Sequence, residues 1–192
     1  PYPAWSYFPQ SGLNTWDYYW DNICQNKPAA QMHSSRGCPF RCDFCVWIQV
    51  MYDNSSHRSF SAKRIVDEME ELRKQFGIKE IYFDDDILTG SKKHIKDLCN
   101  ELVSRKTNIK WSAMGDAMAC NKDDAILMSK AGLIAYKFGV ESGDPRVLKE
   151  IQKPVKLDKV KELCKTFNKC GVKTHATFSF GLSGETKASM NN

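Results

Sequence analysis

The sequence predicts an α/β fold in which short strands alternate with helices to build a parallel sheet. From about residue 29 onward, apolar residues at helical spacing alternate with short runs that are rich in β-branched and aromatic residues. Three of the predicted helices end at a glycine that is followed directly by a strand, at Gly77, Gly132 and Gly171. This repeated order is typical of consecutive strand–helix units.

Four helices are predicted from their capping residues and their apolar spacing. Ser61 can cap the first helix, and Asn121 can cap the third, with Asp124 at its third position. The apolar residues that mark the helices, in chain order, are Ile65, Val66, Met69, Leu72 and Phe76; Ile95, Leu98, Cys99 and Leu102; Ile126, Leu127 and Met128; and Val160, Leu163, Cys164 and Phe167.

Five strands are predicted, at about residues 30–34, 78–84, 109–114, 133–140 and 172–180. In folds of this kind ligands bind at the carboxyl ends of the strands, in the loops that lead into helices. The residues suited to chemistry follow the strands in turn: a cysteine loop, then Asp84-Asp85-Asp86, Gly115-Asp116, Glu141-Ser142-Gly143 and Gly181-Leu182-Ser183-Gly184-Glu185. We therefore expect a functional site at this edge of the sheet.

The composition is that of a single globular domain. The chain has 192 residues, of which 42% are hydrophobic and 27% are charged, which argues against disorder and against a coiled coil. No apolar run approaches the ~18–20 residues that a membrane helix requires, and the first residues do not resemble a secretory signal. We expect a soluble, cytoplasmic protein with no membrane span.

The charge and the cysteines indicate neither nucleic-acid binding nor disulfides. A net charge of +5 arises from 28 Lys and Arg against 23 Asp and Glu, and the lysines are spread along helical stretches, as on a solvated face. Of the eight cysteines, three are clustered. The other five are expected to be free thiols that act as small hydrophobic residues.

Residues 1–28 are predicted to be a lead-in segment that precedes the core domain, residues 29–192. The segment could wrap around the domain or provide a contact surface for another domain, and both readings stay open. The core domain is expected to end before its last strand. The aromatic residues of the lead-in are Tyr2, Trp5, Tyr7, Phe8, Trp16, Tyr18, Tyr19 and Trp20.

The loop after the first strand holds Cys38, Cys42 and Cys45 in the spacing C-x3-C-x2-C. Thiolates select soft metals, so zinc and iron–sulfur clusters are the candidates. Structural zinc requires four ligands, commonly as two separated pairs, and the chain has no second C-x2-C. Three ligands suit a [4Fe-4S] cluster with one open iron, while a non-catalytic zinc or iron–sulfur binding module remains the alternative.

This cysteine spacing after a first strand resembles the signature of the radical S-adenosylmethionine (SAM) enzymes. The resemblance implies that the three cysteines bind a [4Fe-4S] cluster, that the open iron chelates SAM, and that Phe44 meets the adenine. One electron, from a donor of the flavodoxin or ferredoxin type, would cleave SAM to a 5′-deoxyadenosyl radical. The implied fold is a partial, open TIM-type (β/α)6 barrel, of which this chain would hold about five βα units.

Four further matches extend the resemblance over nearly all of residues 30–186. The acidic loop takes the place of the loop that binds the methionine amino group, so Asp84 and Asp86, on one face of the strand, are expected to bind it; a turn or capping role is the alternative for each. Glu141 matches the ribose ligand, with Ser142 beside it. Gly181 and Gly184 match glycines that approach the adenine.

Two departures from the family pattern and one further candidate complete the predicted site. Ser183 replaces a common proline, and Met114-Gly115-Asp116 stands where many relatives place an arginine. Strand alternation puts Lys137 on the same face as Glu141, and a lysine inside a barrel requires an anion. Lys137 is therefore expected to meet the SAM carboxylate or the substrate.

Within the family, the strings around the cysteines, the acidic loop, Glu141 and Gly181 are most similar to the branch with an upstream cobalamin-binding domain. That branch includes methyltransferases and ring-forming enzymes. Cobalamin, bound by a domain outside this chain, is thus a candidate third cofactor. A methylthiotransferase is the competing member of the same family. A small-molecule substrate is expected, and the sequence does not identify it.

Overall fold

The computed structural model describes residues 2–7, 21–51 and 56–191, and a five-stranded parallel sheet forms its centre. The sheet has the order β1-β4-β5-β6-β7, and every neighbouring pair is parallel. Strands β2 and β3 form a separate antiparallel ribbon between β1 and the first helix. The strands are β1 (Ala29–Met32), β2 (Ser35–Arg36), β3 (Arg58–Ser59), β4 (Glu80–Phe83), β5 (Lys110–Gly115), β6 (Leu133–Glu141) and β7 (Lys173–Phe178).

The helices begin and end at local signals in the sequence. The hydroxyl oxygen of Ser61 accepts a hydrogen bond from the backbone N–H of Arg64, and Gly77 ends the same helix in the left-handed conformation. Asn121 and Asp124 form a reciprocal capping box. The helices are α1 (Ala62–Phe76), α2 (Lys92–Ser104), α3 (Lys122–Lys130), α4 (Pro145–Glu150) and α5 (Leu157–Lys169), with a π-helix at Trp47–Met51 and 3-10 turns at Trp5–Tyr7, Leu88–Gly90 and Ser189–Asn191.

The main core lies between the sheet and one layer of helices. Tyr136 and Phe138 of β6 point into it, and the Tyr136 ring lies 4.9 Å from the ring of Phe167 on α5. Phe83 of β4 packs edge-on against Trp111 of β5, with ring centroids 5.6 Å apart. Alternate residues of each strand face this core, so the intervening residues face the opposite, concave side.

Residues 21–28 cover part of the concave side. Ile23 and Cys24 pack with Ala29, Tyr82 and Ala135 in a second, smaller apolar cluster. The buried carboxylate of Glu80 accepts hydrogen bonds from the backbone N–H groups of Gln25, at 2.8 Å, and Asn26, at 2.7 Å. The end of the lead-in is thus attached to the amino end of β4.

The predicted α/β class, with an open sheet of five strands, is confirmed. Each predicted strand lies within two residues of its observed bounds, and the four predicted helices correspond to α1, α2, α3 and α5. Helix α4 was missed, although Asp144 caps it and Pro145 occupies its first turn, which is a recognisable start signal. The β2–β3 ribbon was missed because strands of two residues show no periodicity.

The expectations about the lead-in segment and about membrane helices can be compared with the described residues only. Trp5 donates its indole N–H to Glu68 of α1 at 3.0 Å, so this part of the lead-in packs on the domain. The predicted contacts of Phe8, Trp16, Tyr18, Tyr19 and Trp20 fall outside the described residues. The division at residues 28 and 29 stays a prediction. Within residues 2–7, 21–51 and 56–191, no helix has the length and apolar character required to cross a membrane.

Alanine substitutions at two helix-ending glycines should differ in cost. Gly77 has φ 66° and open space around its missing side chain, so Gly77→Ala should lower the free energy of unfolding by about 1 kcal/mol through backbone strain alone. Gly132 has φ 103°, and a Cβ there would lie 2.7 Å from the carbonyl oxygen of Ile109. Gly132→Ala should therefore cost about 2 to 4 kcal/mol in urea unfolding. Equal losses would contradict this account.

Candidate active site

A cavity of about 440 Å³ lies at the carboxyl edge of the sheet. It is bordered by the loops that follow β1, β4, β5 and β6, as expected for a parallel α/β fold. Its volume is within the range of small-molecule and cofactor sites. The wall carries Cys38, Cys42 and Cys45 together with Asp84, Asp86 and Glu141, so seven predicted site residues, including Phe44, share this cavity.

The three predicted metal ligands stand on one loop. The backbone N–H of Cys45 donates to the carbonyl of Cys42 at 3.1 Å, and the N–H of Asp43 donates to the carbonyl of Ile151 beyond α4 at 3.2 Å. Burial raises the pKa of the Cys38 thiol to about 11 and also raises the pKa of Cys42. The nearby ammonium of Lys153 acts against burial at Cys42.

Gly37 allows the chain to enter this loop. Its φ is 90°, and a Cβ at this position would lie 2.0 Å from the carbonyl oxygen of Ser56. A larger residue would therefore collide with backbone as well as adopt a strained conformation. The N–H of Gly37 donates to the Asp86 carboxylate at 2.6 Å, which attaches the loop to the residues after β4.

The three aspartates after β4 have different environments. Asp85 is buried and accepts hydrogen bonds from Ser34 and Ser35, which follow the neighbouring strand β1. Asp86 is half-buried and accepts the N–H of Gly37. Both carboxylates therefore hold the chain that leads into the cysteine loop, which differs from the local turn or capping role considered as the alternative; the role of Asp86 toward SAM stays a prediction. Asp84 is exposed on the cavity wall. Asp84 is thus the carboxylate of this loop best placed to meet a ligand.

Glu141 forms a charged cluster with Asp116, whose loop the sequence placed at this edge, and with Lys153, which the sequence did not assign to the site. The Nζ of Lys153 lies 3.5 Å from the Oε1 of Glu141 and 3.7 Å from the Oδ2 of Asp116. The side chains of Lys153 and Glu141 are each only 11% exposed. A Cβ at Gly139 would lie 2.0 Å from the Oε1 of Glu141, so this glycine makes room for the cluster.

Glu141 also links the ends of β6 and β7. The Ser179 hydroxyl donates to its Oε2 at 2.7 Å, and the Ser179 N–H donates to its carbonyl oxygen at 3.0 Å. Glu141 adopts φ 71°, and the pairing of β6 with β7 shifts register between Gly139 and Glu141. Irregular backbone of this kind is frequent beside active sites, where it redirects a side chain.

A buried tyrosine holds Asp116 at the rim. The Tyr136 hydroxyl donates to the carbonyl oxygen of Asp116 at 3.1 Å and lies 3.1 Å from the hydroxyl of Thr89. The N–H of Asp116 donates to the same Thr89 oxygen at 3.2 Å. Burial raises the pKa of Tyr136, so this hydroxyl stays protonated and available as a donor. A Cβ at Gly115 would lie 2.1 Å from the tyrosine oxygen.

Lys137 is not among the residues that line this cavity, and its role toward SAM or the substrate stays a prediction. Its Nζ lies 3.0 Å from the Oδ2 of Asp21, so the anion that it requires comes from the lead-in segment. The alternation argument was right about the face, because Lys137 and Ala135 both lie on the concave side with the lead-in. It could not reveal that residues 21–28 occupy that side.

Three other predicted cofactor residues also lie away from the cavity wall. The Ser142 hydroxyl accepts the N–H of Asp144 at 3.1 Å, in the turn before α4. The Gly181 N–H donates to the carboxylate of Glu185 at 2.5 Å, and a Cβ at Gly184 would lie 3.2 Å from the side chain of Glu150. Their roles toward SAM stay predictions.

Several residues on the wall were not predicted, and His33 is the most informative. It directly follows β1, and its buried Nδ1 has no hydrogen-bond partner within residues 2–7, 21–51 and 56–191. Burial, followed by the charge of Arg36, lowers the pKa of this imidazole. A buried polar atom without a partner is costly, so the cavity offers a hydrogen bond that a bound molecule can complete. Strand alternation beyond residue 32 could have identified it.

The three cysteines fit an iron–sulfur cluster by their chemistry. Thiolates are the usual ligands of such clusters, and each cysteine binds a different iron. The three sulfurs are therefore required to line one cavity, and they are not required to converge on one position. Among the described residues, no three His, Cys, Asp or Glu side chains converge on a position for a single metal ion. Cys38, Cys42 and Cys45 do share the wall of one cavity.

Comparison with known proteins decides the family. The model of the radical SAM superfamily matches residues 32–192. The chain belongs to the radical SAM superfamily. Membership implies a [4Fe-4S] cluster and SAM as cofactors, and it confirms the family predicted from the cysteine loop. Methyltransferases and cyclases, which are enzymes, are among the matched relatives of this radical SAM chain.

Three similar proteins illustrate the relationship. An uncharacterized methyltransferase of Pyrococcus horikoshii is 32% identical over 83% of this chain and 34% of its own length. The anaerobic magnesium-protoporphyrin IX monomethyl ester cyclase of Rubrivivax gelatinosus is 29% identical over 95% of this chain and 32% of its own length. The radical SAM chain therefore spans about a third of the length of these curated relatives.

The third similar protein is a solved structure, the radical SAM methyltransferase TsrM from Kitasatospora setae with cobalamin and a [4Fe-4S] cluster bound. It has a TM-score of 0.73 and 22% identity, and the match covers 83% of this chain and 32% of TsrM. At this identity the likeness shows the fold, and it confirms the partial TIM-type barrel. A methyltransferase and a cyclase, the two kinds of enzyme expected in the cobalamin-associated branch, are among the matched relatives.

Substitution of one cluster cysteine should separate metal binding from folding. Cys42→Ala should reduce the iron retained after anaerobic reconstitution to background, because one of three thiolates is lost. Cys164→Ala is the matched control: this half-buried thiol packs against the core from α5, and its loss should cost about 1 kcal/mol of stability without loss of iron. Retention of iron by Cys42→Ala, or its loss from Cys164→Ala, would show that the assignment is wrong.

Proposed function

We propose that this chain is the radical-generating core of a radical SAM enzyme, with the cavity at the carboxyl edge of the sheet as its active site. The observation that carries the proposal is that three thiols, an exposed carboxylate and a buried ammonium share the wall of one cavity. When bound, the cluster and SAM supply a 5′-deoxyadenosyl radical by one-electron reduction of SAM. The protein's part is to bind, orient and exclude water.

The charge of the cavity supports a cationic ligand such as SAM. Its described wall carries five carboxylates, of Asp84, Asp85, Asp86, Asp116 and Glu141, against the cations Arg36 and Lys153. SAM bears a sulfonium and an ammonium group against one carboxylate, so its net charge is positive. An acid-rich cavity complements it, and charge complementarity of this kind favours correct orientation.

The ammonium and carboxylate groups of SAM each have a residue of opposite charge on the cavity wall. The exposed carboxylate of Asp84 can accept hydrogen bonds from the ammonium group, with Asp86 behind it. We assign the carboxylate of SAM to Lys153, whose ammonium lies close enough to Cys42 to lower the pKa of that thiol against the effect of burial. Lys153 thereby takes the role that the sequence suggested for Lys137.

The nucleoside end has candidate partners on the same rim. Glu141 can accept hydrogen bonds from ribose hydroxyls, because Ser179 occupies only part of its acceptor capacity. Phe44 lines the cavity with its side chain 43% exposed, which leaves ring surface for the adenine. Gly181 and Gly184, at φ 81° and 75°, can present backbone to the adenine, and Ser142 supports the turn after Glu141.

The reaction proposed for the whole protein is a methyl transfer or a ring-forming step on a small molecule. The matched methyltransferase and cyclase support these two classes. We propose that cobalamin, bound by a domain outside this chain, takes part, on the basis of the structural likeness to TsrM. A methylthiotransferase reaction is the alternative within the family.

The proposed reaction also requires an electron donor and a reducing cellular compartment. The reduction of SAM requires one electron, for which we propose a flavodoxin- or ferredoxin-type donor. A cytoplasmic location is consistent with the thiols: all eight cysteines lie within the described residues and are free.

Anaerobic reconstitution of the chain with iron and sulfide tests the proposal. After reduction in the presence of SAM, 5′-deoxyadenosine should accumulate, and the spectrum of the reduced cluster should shift when SAM is added. The spectral shift is the primary readout, because it does not require a substrate. A colourless protein that retains one zinc ion and leaves SAM intact would instead support a non-catalytic binding module.

Replacement of two lysines distinguishes the proposed SAM contact from its alternative. Lys153→Met should weaken SAM binding to the reconstituted chain about tenfold or more, because a charge-assisted hydrogen bond to the carboxylate is lost. Lys137→Met should leave SAM binding unchanged and lower stability, because it breaks the pair with Asp21. Calorimetric titration measures both, and a larger loss of affinity at Lys137 would reverse the assignment.

A further inference from the structure

Strand β4 carries a buried carboxylate near each of its ends. Glu80 is its first residue and is 0% exposed, and Asp85 stands two residues beyond its last residue and is 2% exposed. Glu80 holds residues 25 and 26, which precede β1, and Asp85 holds Ser34 and Ser35, which follow it. The edge strand β1 is therefore attached at both ends to its neighbour, and only the second attachment leads into the cysteine loop.

The hydrogen bonds to Asp85 are short and well distributed. Its Oδ1 accepts the backbone N–H of Ser34 at 2.7 Å. Its Oδ2 accepts the hydroxyls of Ser34 and Ser35, each at 2.6 Å. Hydrogen bonds to a buried carboxylate are among the strong ones in proteins, so this carboxylate fixes both backbone and side chains at the start of the loop.

A histidine on α2 also contacts the hydroxyl of Ser34. The Nε2 of His94 lies 2.8 Å from the Ser34 hydroxyl oxygen. Because that hydroxyl donates its proton to Asp85, its oxygen must accept from an Nε2–H of His94. Ser34 also accepts the Phe60 N–H at its carbonyl oxygen, at 3.0 Å. All polar groups of Ser34 are thus satisfied by three different segments.

Only two residues separate this anchor from Cys38. Arg36 pairs with Arg58 in the β2–β3 ribbon, and the Gly37 N–H is held by Asp86. Each residue from Ser34 to Gly37 therefore has a backbone partner, and Cys38, the next residue, lies on the cavity wall. The position of its thiol follows from the anchor because the intervening chain has little freedom.

We propose that Asp85 is a positioning residue for the metal-binding loop: acting through Ser34 and Ser35, it sets where the Cys38 thiol stands. This inference rests on the proposed function, since the loop's task is to bind the cluster. In this role Asp85 itself binds neither the cluster nor SAM. Partners behind metal ligands commonly change affinity by about 10–100-fold when they are removed.

The test compares two isosteric neutralisations on the same strand. Asp85→Asn places an amide NH2 against groups that all donate to the carboxylate, so at least one of these hydrogen bonds is lost or reversed. Glu80→Gln does the same at the far end of β4, where Gln25, Asn26 and Ser112 are the donors. Both changes should lower the stability of the metal-free chain, whereas only Asp85→Asn should affect the loop.

Two readouts are measured on the full chain. In the metal-free protein, hydrogen exchange of the backbone amides of residues 34–38 should accelerate at least about tenfold in Asp85→Asn and stay unchanged in Glu80→Gln. After reconstitution, Asp85→Asn should bind SAM about tenfold more weakly and show an altered spectrum of the reduced cluster. Ser35→Ala, which removes one of the three hydrogen bonds, should give an intermediate effect and keeps the test decisive if Asp85→Asn does not fold.

The outcomes separate the two proposals. A wild-type chain that takes up no cluster while Asp85→Asn accelerates exchange at residues 34–38 would overturn the proposed function and support the anchoring of the loop. A wild-type chain that binds cluster and SAM, with Asp85→Asn or Ser35→Ala indistinguishable from it in both readouts, would overturn the positioning role alone. Equal effects from Glu80→Gln would also overturn it, because they would reflect general stability.

Discussion

Parallel pairing of the strands is the constraint on which the site depends. When neighbouring strands run in one direction, their carboxyl ends meet at one edge, and residues far apart in the chain become neighbours. Here the register aligns Met32 with Phe83 and Phe83 with Ala113, so β1 and β4 end at the same level and β5 ends two residues beyond them, on the same edge. The cysteines, the acidic loop and Asp116 share one cavity for this reason.

Parallel pairing also brings many carboxylates together on one cavity wall, and nearby groups of the chain stabilise most of this negative charge. Acidic groups outnumber cationic groups on the cavity wall, and burial opposes ionisation of the thiols of Cys38 and Cys42. Most of the carboxylates are stabilised by groups of the chain itself. Asp85 and Asp86 accept hydrogen bonds from the approach to the cysteine loop, while Asp116 and Glu141 share the ammonium of Lys153. Asp84 is the exposed carboxylate of the acidic loop.

Local signals predicted the scaffold, the cysteine loop and the acidic residues. Glycine at a helix end, a capping box and a change of apolar period act over a few residues, and the sequence displays them directly, as at Gly77 and Asn121. The membership of Cys38, Glu141 and Asp84 in one site followed from the edge rule alone. These predictions required no knowledge of which distant segments meet.

The contacts that the sequence did not reveal are those in which a distant segment decides the environment of a side chain. Lys137 lies on the predicted face, but Asp21, which stands 116 positions earlier in the chain, pairs with it. Lys153 follows the short helix α4 and reaches the cavity beside Glu141, at the end of β6. The spacing of apolar residues in the sequence does not indicate that the chain returns to this point. The roles of Asp85 and Asp86 as anchors likewise depend on residues of the neighbouring strand.

The close approach of Tyr136 to Gly115 has a consequence for how this protein can change over evolutionary time. A Cβ at position 115 would meet the tyrosine oxygen at 2.1 Å, and that oxygen holds the backbone of Asp116. Two ring carbons of Tyr136 would also lie 2.5 and 2.7 Å from the same Cβ. Gain of a methyl group at 115 is thus open only to a lineage that has already replaced the aromatic ring at 136, and with it the hydroxyl. Loss of that hydroxyl first releases a buried carbonyl at the rim. The order of substitutions at these two positions is therefore restricted, and a descendant that exchanges both passes through a less favourable intermediate.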